Sequence, residues 1–277
     1  MRFDIEEIDA SKVRGADVED DTQRFRRPAG RMRLGYVTVR KELDRDALAR
    51  GLERTLNKRV ELVRAATYTD LAELVTEGLV DLAWLPPAVY LHVRRGLGVR
   101  LAAMLERSGN DAYRSALLCR TGTYERILDV VGARAAWVDP WSAAGYLMPR
   151  ALILAEGIDP NVALRETFVG SYDAALDALG AATAEIASGT CTTGHEGRIL
   201  EQSWSPDARV RVLAVSSPIP SDVLCTTSAV SSGDAVMIES ALRSSEAREI
   251  ASALGGTGLA APDPSHYDGL DRAIGRR

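Results

Sequence analysis

The sequence predicts a two-lobed α/β protein, each lobe a mostly parallel sheet flanked by helices, and three observations carry that expectation. Short apolar runs alternate along the chain with stretches whose apolar residues recur at helical spacing, the pattern of parallel strands joined by covering helices. The chain has 277 residues, 46% of them hydrophobic and 26% charged, which fills a full core and favours a split into two lobes. The pattern is interrupted twice, near 121–125 and at SSPIPSD over 216–222, and each break reads as a crossing between lobes. Residues 1–30 then form a polar N-terminal extension, 31–121 with 223–277 make lobe 1, and 122–222 make lobe 2.

The first strand is expected over 34–39. A helix follows over 44–56, where Leu48, Leu52 and Leu56 fall on one face at intervals of four. Next come a strand over 60–65, a helix over 69–77 with Leu71, Leu74 and Val75 inward, and a strand over 79–85. Pro86 and Pro87 open another helix, since proline is well placed in a first turn. Strands over 99–105 and 113–120 complete the first sheet in this reading. The second lobe holds a strand over 133–138, a kinked helix containing Pro149, a strand over 164–169, a helix over 172–179 and a strand over 184–188. After the return crossing, 232–255 reads as two helices, with Ser232 as N-cap for Val236, Ile238, Ala241 and Leu242 and Gly255–Gly256 as a stop. The tail beyond Pro262 is polar and expected to be peripheral.

Composition narrows the function classes. The formal charge of −5 argues against nucleic acid as the main partner, and the cluster Arg24, Arg26, Arg27, Arg31 and Arg33 abuts an acidic stretch that offsets it. No apolar run reaches the roughly 20 residues of a membrane helix. Residues 1–22 hold eight acids and no apolar h-region, so a cytoplasmic location is expected unless the N-terminus was trimmed. Cys119, Cys191 and Cys225 are an odd set with no close spacing, which makes a disulfide framework unexpected and fits a reducing compartment. Lys12, Lys41 and Lys58 are the sole lysines, few candidates for Schiff-base chemistry. No spacing calls for a metal or a cofactor.

The most informative stretch is WVDPWSAAGYLMPRAL at 137–152, followed by FVGSYDAALDAL at 168–179. In the first, a buried strand breaks at Asp139–Pro140 into a helix whose opening turn is Ser142, Ala143, Ala144 and Gly145. A turn of small residues leaves N–H groups unpaired at the positive end of a helix dipole, and a ligand can approach the backbone closely. Two such units in succession resemble the phosphonate- and phosphate-type periplasmic solute-binding proteins, the receptor components of ABC importers. That family carries Asp-Pro-x-Ser-Thr-Ser-Gly-Tyr-Leu-x-Pro at the first place and Gly-Ser-His-Asp-Ala-Ala-Leu at the second. The resemblance continues through YTDLAELVTEGLVDLAWLPPAVY (68–90), YRSALLCR (113–120) and SSPIPSDVLC (216–225), covering most of 34–254.

The resemblance implies a periplasmic-binding-protein-like fold with a ligand cleft at the hinge between lobes, closing by hinge motion. It places Tyr68 and Tyr113 where the family has tyrosines facing an organophosphonate, and Asp222 where a carboxylate receives the ligand's ammonium group. The anion side departs from the pattern. Of three hydroxyls only Ser142 remains, Ala143 and Ala144 replace the others, and Tyr172 stands where the family has a histidine. A hydrogen bond to a charged partner contributes about 1.5–3 kcal/mol, so these losses imply oxyanion binding weaker by roughly 10³-fold. In their place stand Trp141 and Tyr172, with Tyr146 and Trp84 as further aromatic candidates and core packing the better reading of Trp84. Such a wall suits a larger, partly apolar or aromatic ligand, anionic or amine-bearing. Thr192 lies near the position where some members use a glutamate.

A competing reading is enzymatic. SGTCTTGHEG at 188–197 carries Cys191 and His195 four apart, and a thiol beside an imidazole can become a nucleophile, although a lone cysteine is more often a small buried hydrophobe. An enzyme on this fold would perform lyase- or synthase-type chemistry in the cleft. A third reading is a cytoplasmic metabolite sensor that contacts a protein partner through its acidic N-terminal extension.

Overall fold

The computed structural model describes residues 7–9, 30–37, 43–95, 98–107, 112–194, 197–205 and 209–274. The chain opens with β1 (Glu7–Asp9), β2 (Arg31–Val37), α1 (Arg45–Leu56), β3 (Arg59–Ala65), α2 (Tyr68–Thr76), β4 (Leu82–Leu85), α3 (Pro87–Val93) and β5 (Arg100–Glu106). Local chemistry sets the helix limits. Asp44 Oδ1 accepts from the Ala47 N–H at 2.9 Å to start α1, and Asn57, at φ 50°, ends it in the left-handed region. Thr67 and Asp70 form a reciprocal capping box at the start of α2. Pro87 opens α3 as expected.

Next come β6 (Ala112–Arg120), β7 (Arg134–Trp137), a π-helical turn (Ala143–Leu147) that runs into α4 (Met148–Ala155), α5 (Pro160–Ala163), β8 (Arg165–Phe168), α6 (Tyr172–Gly180) and β9 (Ile186–Thr193). They are followed by β10 (Ile199–Gln202), β11 (Val210–Val215), β12 (Ile219–Pro220), β13 (Val223–Thr226), α7 (Ser232–Leu242), α8 (Arg248–Ala253), β14 (Gly258–Ala260) and α9 (Asp268–Ile274).

Two compact units result: residues 1–111 with 221–264, and 112–220 with 265–277. The first unit's sheet has the order β1-β3-β2-β4-β13-β5-β14. β1, β3, β2 and β4 run parallel, whereas β13 is antiparallel to β4 and β5, and β14 to β5. Met32, Leu34 and Tyr36 point into a core shared with Leu48 and Leu52 of α1, Ile238 and Leu242 of α7, and Ile250 of α8. On the opposite face Gly35 lets Val80 and Leu71 of α2 approach, since a Cβ there would lie 3.2–3.3 Å from both.

The second unit's sheet runs β11-β6-β9-β7-β8, with β10 on β9 and β12 on β6. β9, β7 and β8 are parallel, and β6, β10, β11 and β12 join antiparallel. One face packs Leu117, Cys119, Trp137 and Ile186 against Ile153 of α4; the other packs Ala116, Leu118 and Ala187 against Ala175 and Leu179 of α6.

Several expectations are corrected. β6, assigned from sequence to lobe 1, belongs to the second unit, because it pairs with β9, β11 and β12 there. The boundaries 31–121/223–277 and 122–222 accordingly move to 111/112 and 220/221, and 265–277 joins the second unit. The tail is not peripheral: Tyr267 is fully buried and Leu270 is buried. Part of the lead-in, β1, is a sheet edge and not a free extension. Ser231, one residue before the expected Ser232, caps α7. Val236 faces solvent at 60% exposure while Ala235 points inward. Arg33, read as part of a cluster offset by the acidic stretch, pairs with its cross-strand neighbour Glu61 at 2.7 Å.

Candidate functional site

The anion-type turn predicted from Ser142 to Gly145 forms, and its geometry comes from its neighbours. Ser142 is the N-cap, its Oγ accepting from the Gly145 N–H at 3.0 Å. The N–H groups of Tyr146 and Leu147 both reach back to the Ser142 carbonyl, which makes the turn π-helical. The N–H groups of Ala143 and Ala144 are left as first-turn donors that no hydrogen bond among the described residues takes up. Asp139 Oδ1 accepts from the Trp141 N–H at 2.7 Å and shapes the approach.

The turn is anchored from the sheet. Ser115 Oγ of β6 donates to the Ala144 carbonyl at 2.7 Å, and Ser188 Oγ of β9 donates to the Gly145 carbonyl at 3.0 Å. Gly145 itself is obligatory, since a Cβ would lie 2.5 Å from Ser142 Oγ and 2.6 Å from Val138 Cβ. Beside it, β8 leads into a second capped helix, where Ser171 Oγ accepts from the Ala174 N–H at 3.1 Å. Because β7 and β8 are parallel neighbours, both helix starts lie at the carboxyl edge of one sheet.

The same edge collects other expected residues of this unit. β9 runs parallel to β7 and extends past it, bringing Cys191 and Thr192 there; β6 is antiparallel, so its first residues, including half-buried Tyr113, lie at this end. Tyr172, the first residue of α6, is buried, and Trp141 is half-buried. Tyr146 packs on the last residues of β7 and β8. It stacks edge-on against Trp137 and Phe168, with centroids 6.3 and 4.9 Å away, and Arg150 lies over its ring at 5.0 Å.

Sequence reasoning missed Arg114. It follows Tyr113 in YRSALLCR and sits opposite Cys191 in the β6–β9 register. Its Nε donates to Thr193 Oγ1 at 2.8 Å and its Nη1 to the Ser216 carbonyl at 2.6 Å. A cation in the second position of a strand that continues Ala116, Leu117 and Leu118 was the available signal.

Cys191 is buried, and burial pushes its thiol above the ordinary range, with the Arg114 charge pulling more weakly the other way. That is the environment of an inert thiol. His195, its expected partner, lies outside the described residues, so the pairing has no geometry here. Among the described residues no three His, Cys, Asp or Glu side chains gather closely enough to hold a metal ion, and no helix is long and apolar enough to cross a membrane.

In the first unit, Tyr68 is buried as the first residue of α2. Trp84 packs against the core around Leu34 and Leu224, as expected, with its Nε1 enclosed and without an acceptor among the described residues. Asp222, expected to receive a ligand's ammonium group, is held by Arg107, whose Nη2 donates to its Oδ2 at 2.6 Å. The pair spans 115 positions of sequence, so no local pattern could have disclosed it.

Comparison with known proteins places the chain in a family. A family model described as the ABC transporter, phosphonate, periplasmic substrate-binding protein matches residues 40–267. The phosphate-import protein PhnD of Mycolicibacterium smegmatis is 30% identical over 162 residues, 54% of this chain and 48% of that protein. The chain thus matches about half the length of that curated relative. Among solved structures, a binding protein component of an ABC phosphonate transporter from Pseudomonas aeruginosa superposes with a TM-score of 0.71 at 15% identity, over 88% of this chain and 85% of that one. PhnD1 from Prochlorococcus marinus, in complex with methylphosphonate, gives 0.69 at 12% identity, over 89% and 97%. At these identities the likeness to both structures is one of fold.

Proposed function

This chain belongs to the phosphonate family of ABC-transporter periplasmic substrate-binding proteins, and on that premise we propose that it binds a small organic oxyanion and presents it to an ABC importer. The observation that carries the reading is the pair of serine-capped helix starts at one sheet edge, with the Ala143 and Ala144 N–H groups available as donors. Backbone donors need no hydroxyl side chains, which is how the turn keeps an anion-binding form although two of the family's three hydroxyls are gone.

The aromatic groups at that edge, Tyr113, Trp141 and Tyr172, favour a ligand with an apolar or aromatic portion over bare phosphate. Asp222 lies in the other unit, held by Arg107, and carries no part of this reading. The catalytic reading of Cys191 draws no support from its buried, protonated thiol.

The test is native mass spectrometry of the protein purified from its host, with identification of anything released on denaturation, followed by thermal-shift screening of phosphonates and aromatic acids. A stoichiometric oxyacid, or a saturable stabilisation by members of that panel, is expected. A bound cation or neutral cofactor, with no response to any oxyacid, contradicts the reading.

A further inference from the structure

Arg114 is a buried-edge cation that its neighbours do not neutralise. Both groups it donates to, the Thr193 hydroxyl and the Ser216 carbonyl, are uncharged, and no carboxylate among the described residues pairs with it. Three other half-buried arginines, Arg33, Arg107 and Arg150, each face a carboxylate instead.

Its position is also specific. Side chains alternate along β6, so Ser115 faces the 142–147 turn while Arg114 lies on the sheet face that carries Cys191 and α6. The capped start of α6 reaches the same edge on that face. Two helix N-termini therefore contribute partial positive charge at this edge, and Arg114 adds a full one. Asp173, the acid in the first turn of α6, is exposed to solvent, and Asp139 is engaged by the Trp141 N–H.

We propose that Arg114 is the anion-recognising side chain of this site, taking an oxyacid head group with its remaining N–H donors while Thr193 and Ser216 hold the guanidinium in orientation. This inference rests on the oxyanion-binding reading above and deepens it. It explains how the site tolerates Ala143 and Ala144: one fixed guanidinium and the turn amides replace the missing hydroxyl donors.

The experiment is calorimetric titration of the full chain with methylphosphonate and with phenylphosphonate, at low and moderate salt, for the wild type and for Arg114→Gln and Arg114→Lys. Arg114→Gln is expected to weaken binding about tenfold or more and to flatten its salt dependence. Arg114→Lys keeps the charge but cannot bridge both Thr193 Oγ1 and Ser216 O, and it is expected to recover most of the lost affinity. If Arg114→Gln binds within twofold of wild type, the proposal is overturned. If Arg114→Lys is as weak as Arg114→Gln, the loss belongs to the β6–β9 staple and the proposal is again overturned. Wild type that binds neither probe overturns the functional reading itself, which is a distinct outcome.

Discussion

Gly145 shows how one residue sets the candidate site. A methyl group there would press on Ser142 Oγ and Val138 at once, breaking the cap that organises the turn. Gly145→Ala is expected to lose about 1–3 kcal/mol by overpacking, read from urea unfolding, and to weaken oxyanion binding with it. Gly180→Ala is the control, because open space surrounds that position in α6, and it should be neutral or slightly stabilising. Cys191 gives a second residue-scale outcome. With its thiol held protonated by burial, native protein should react with a disulfide reagent at pH 8 far more slowly than unfolded protein, and Cys191→Ser should leave ligand affinity unchanged. Rapid modification of the native thiol would reopen the catalytic reading. At this scale the turn serine and glycine were legible, because small residues after Asp-Pro mark a close backbone approach. The Arg107–Asp222 pair was not, being joined only by the fold.

The elements hold the turn through a polar cluster on β8. Glu166 accepts from Trp137 Nε1 at 2.7 Å and from Arg150 Nη1, and Arg150 Nη2 donates to Asn161 Oδ1 at 2.6 Å. These bonds tie β7, β8, α4 and α5 together, and α4 is the continuation of the turn that carries Ala143 and Ala144. Glu166→Ala would leave a largely enclosed guanidinium and an indole N–H without this acceptor, and a loss of about 2 kcal/mol is expected in the unfolding free energy. No loss on denaturant titration would show the cluster to be incidental. Helices with clear periodicity and caps, such as α1, α2 and α6, were readable within a residue or two. The strands β10, β11 and β14 were not: β10 and β14 are too short to carry an apolar run, and the apolar VRVLAV of β11 was missed. β6 was found as a strand yet assigned to the wrong sheet, because partner choice is a long-range property that an apolar run does not encode.

For the whole molecule, the family and the α/β class were legible from linked motifs, and the division into units was legible except for where the chain changes from one to the other. All three cysteines are free and buried, and burial raises each thiol above its ordinary 9.0. The sign of the resulting linkage is fixed: unfolded thiols ionise near that value and folded ones do not. Stability contributed by the protonated thiols is therefore intact below about pH 9 and lost as pH climbs through the raised values. The urea midpoint should hold steady from pH 7 to 8.5 and fall above 9, more steeply than in a variant lacking the three thiols. The central claim, that the second unit's turn holds an oxyanion through its backbone, is tested most directly by amide NMR on titration with methylphosphonate. The account predicts that the largest downfield proton shifts fall on the Ala143 and Ala144 N–H groups, saturating together with a shift at Arg114 Nε. Saturable binding that leaves those amides unmoved would contradict it.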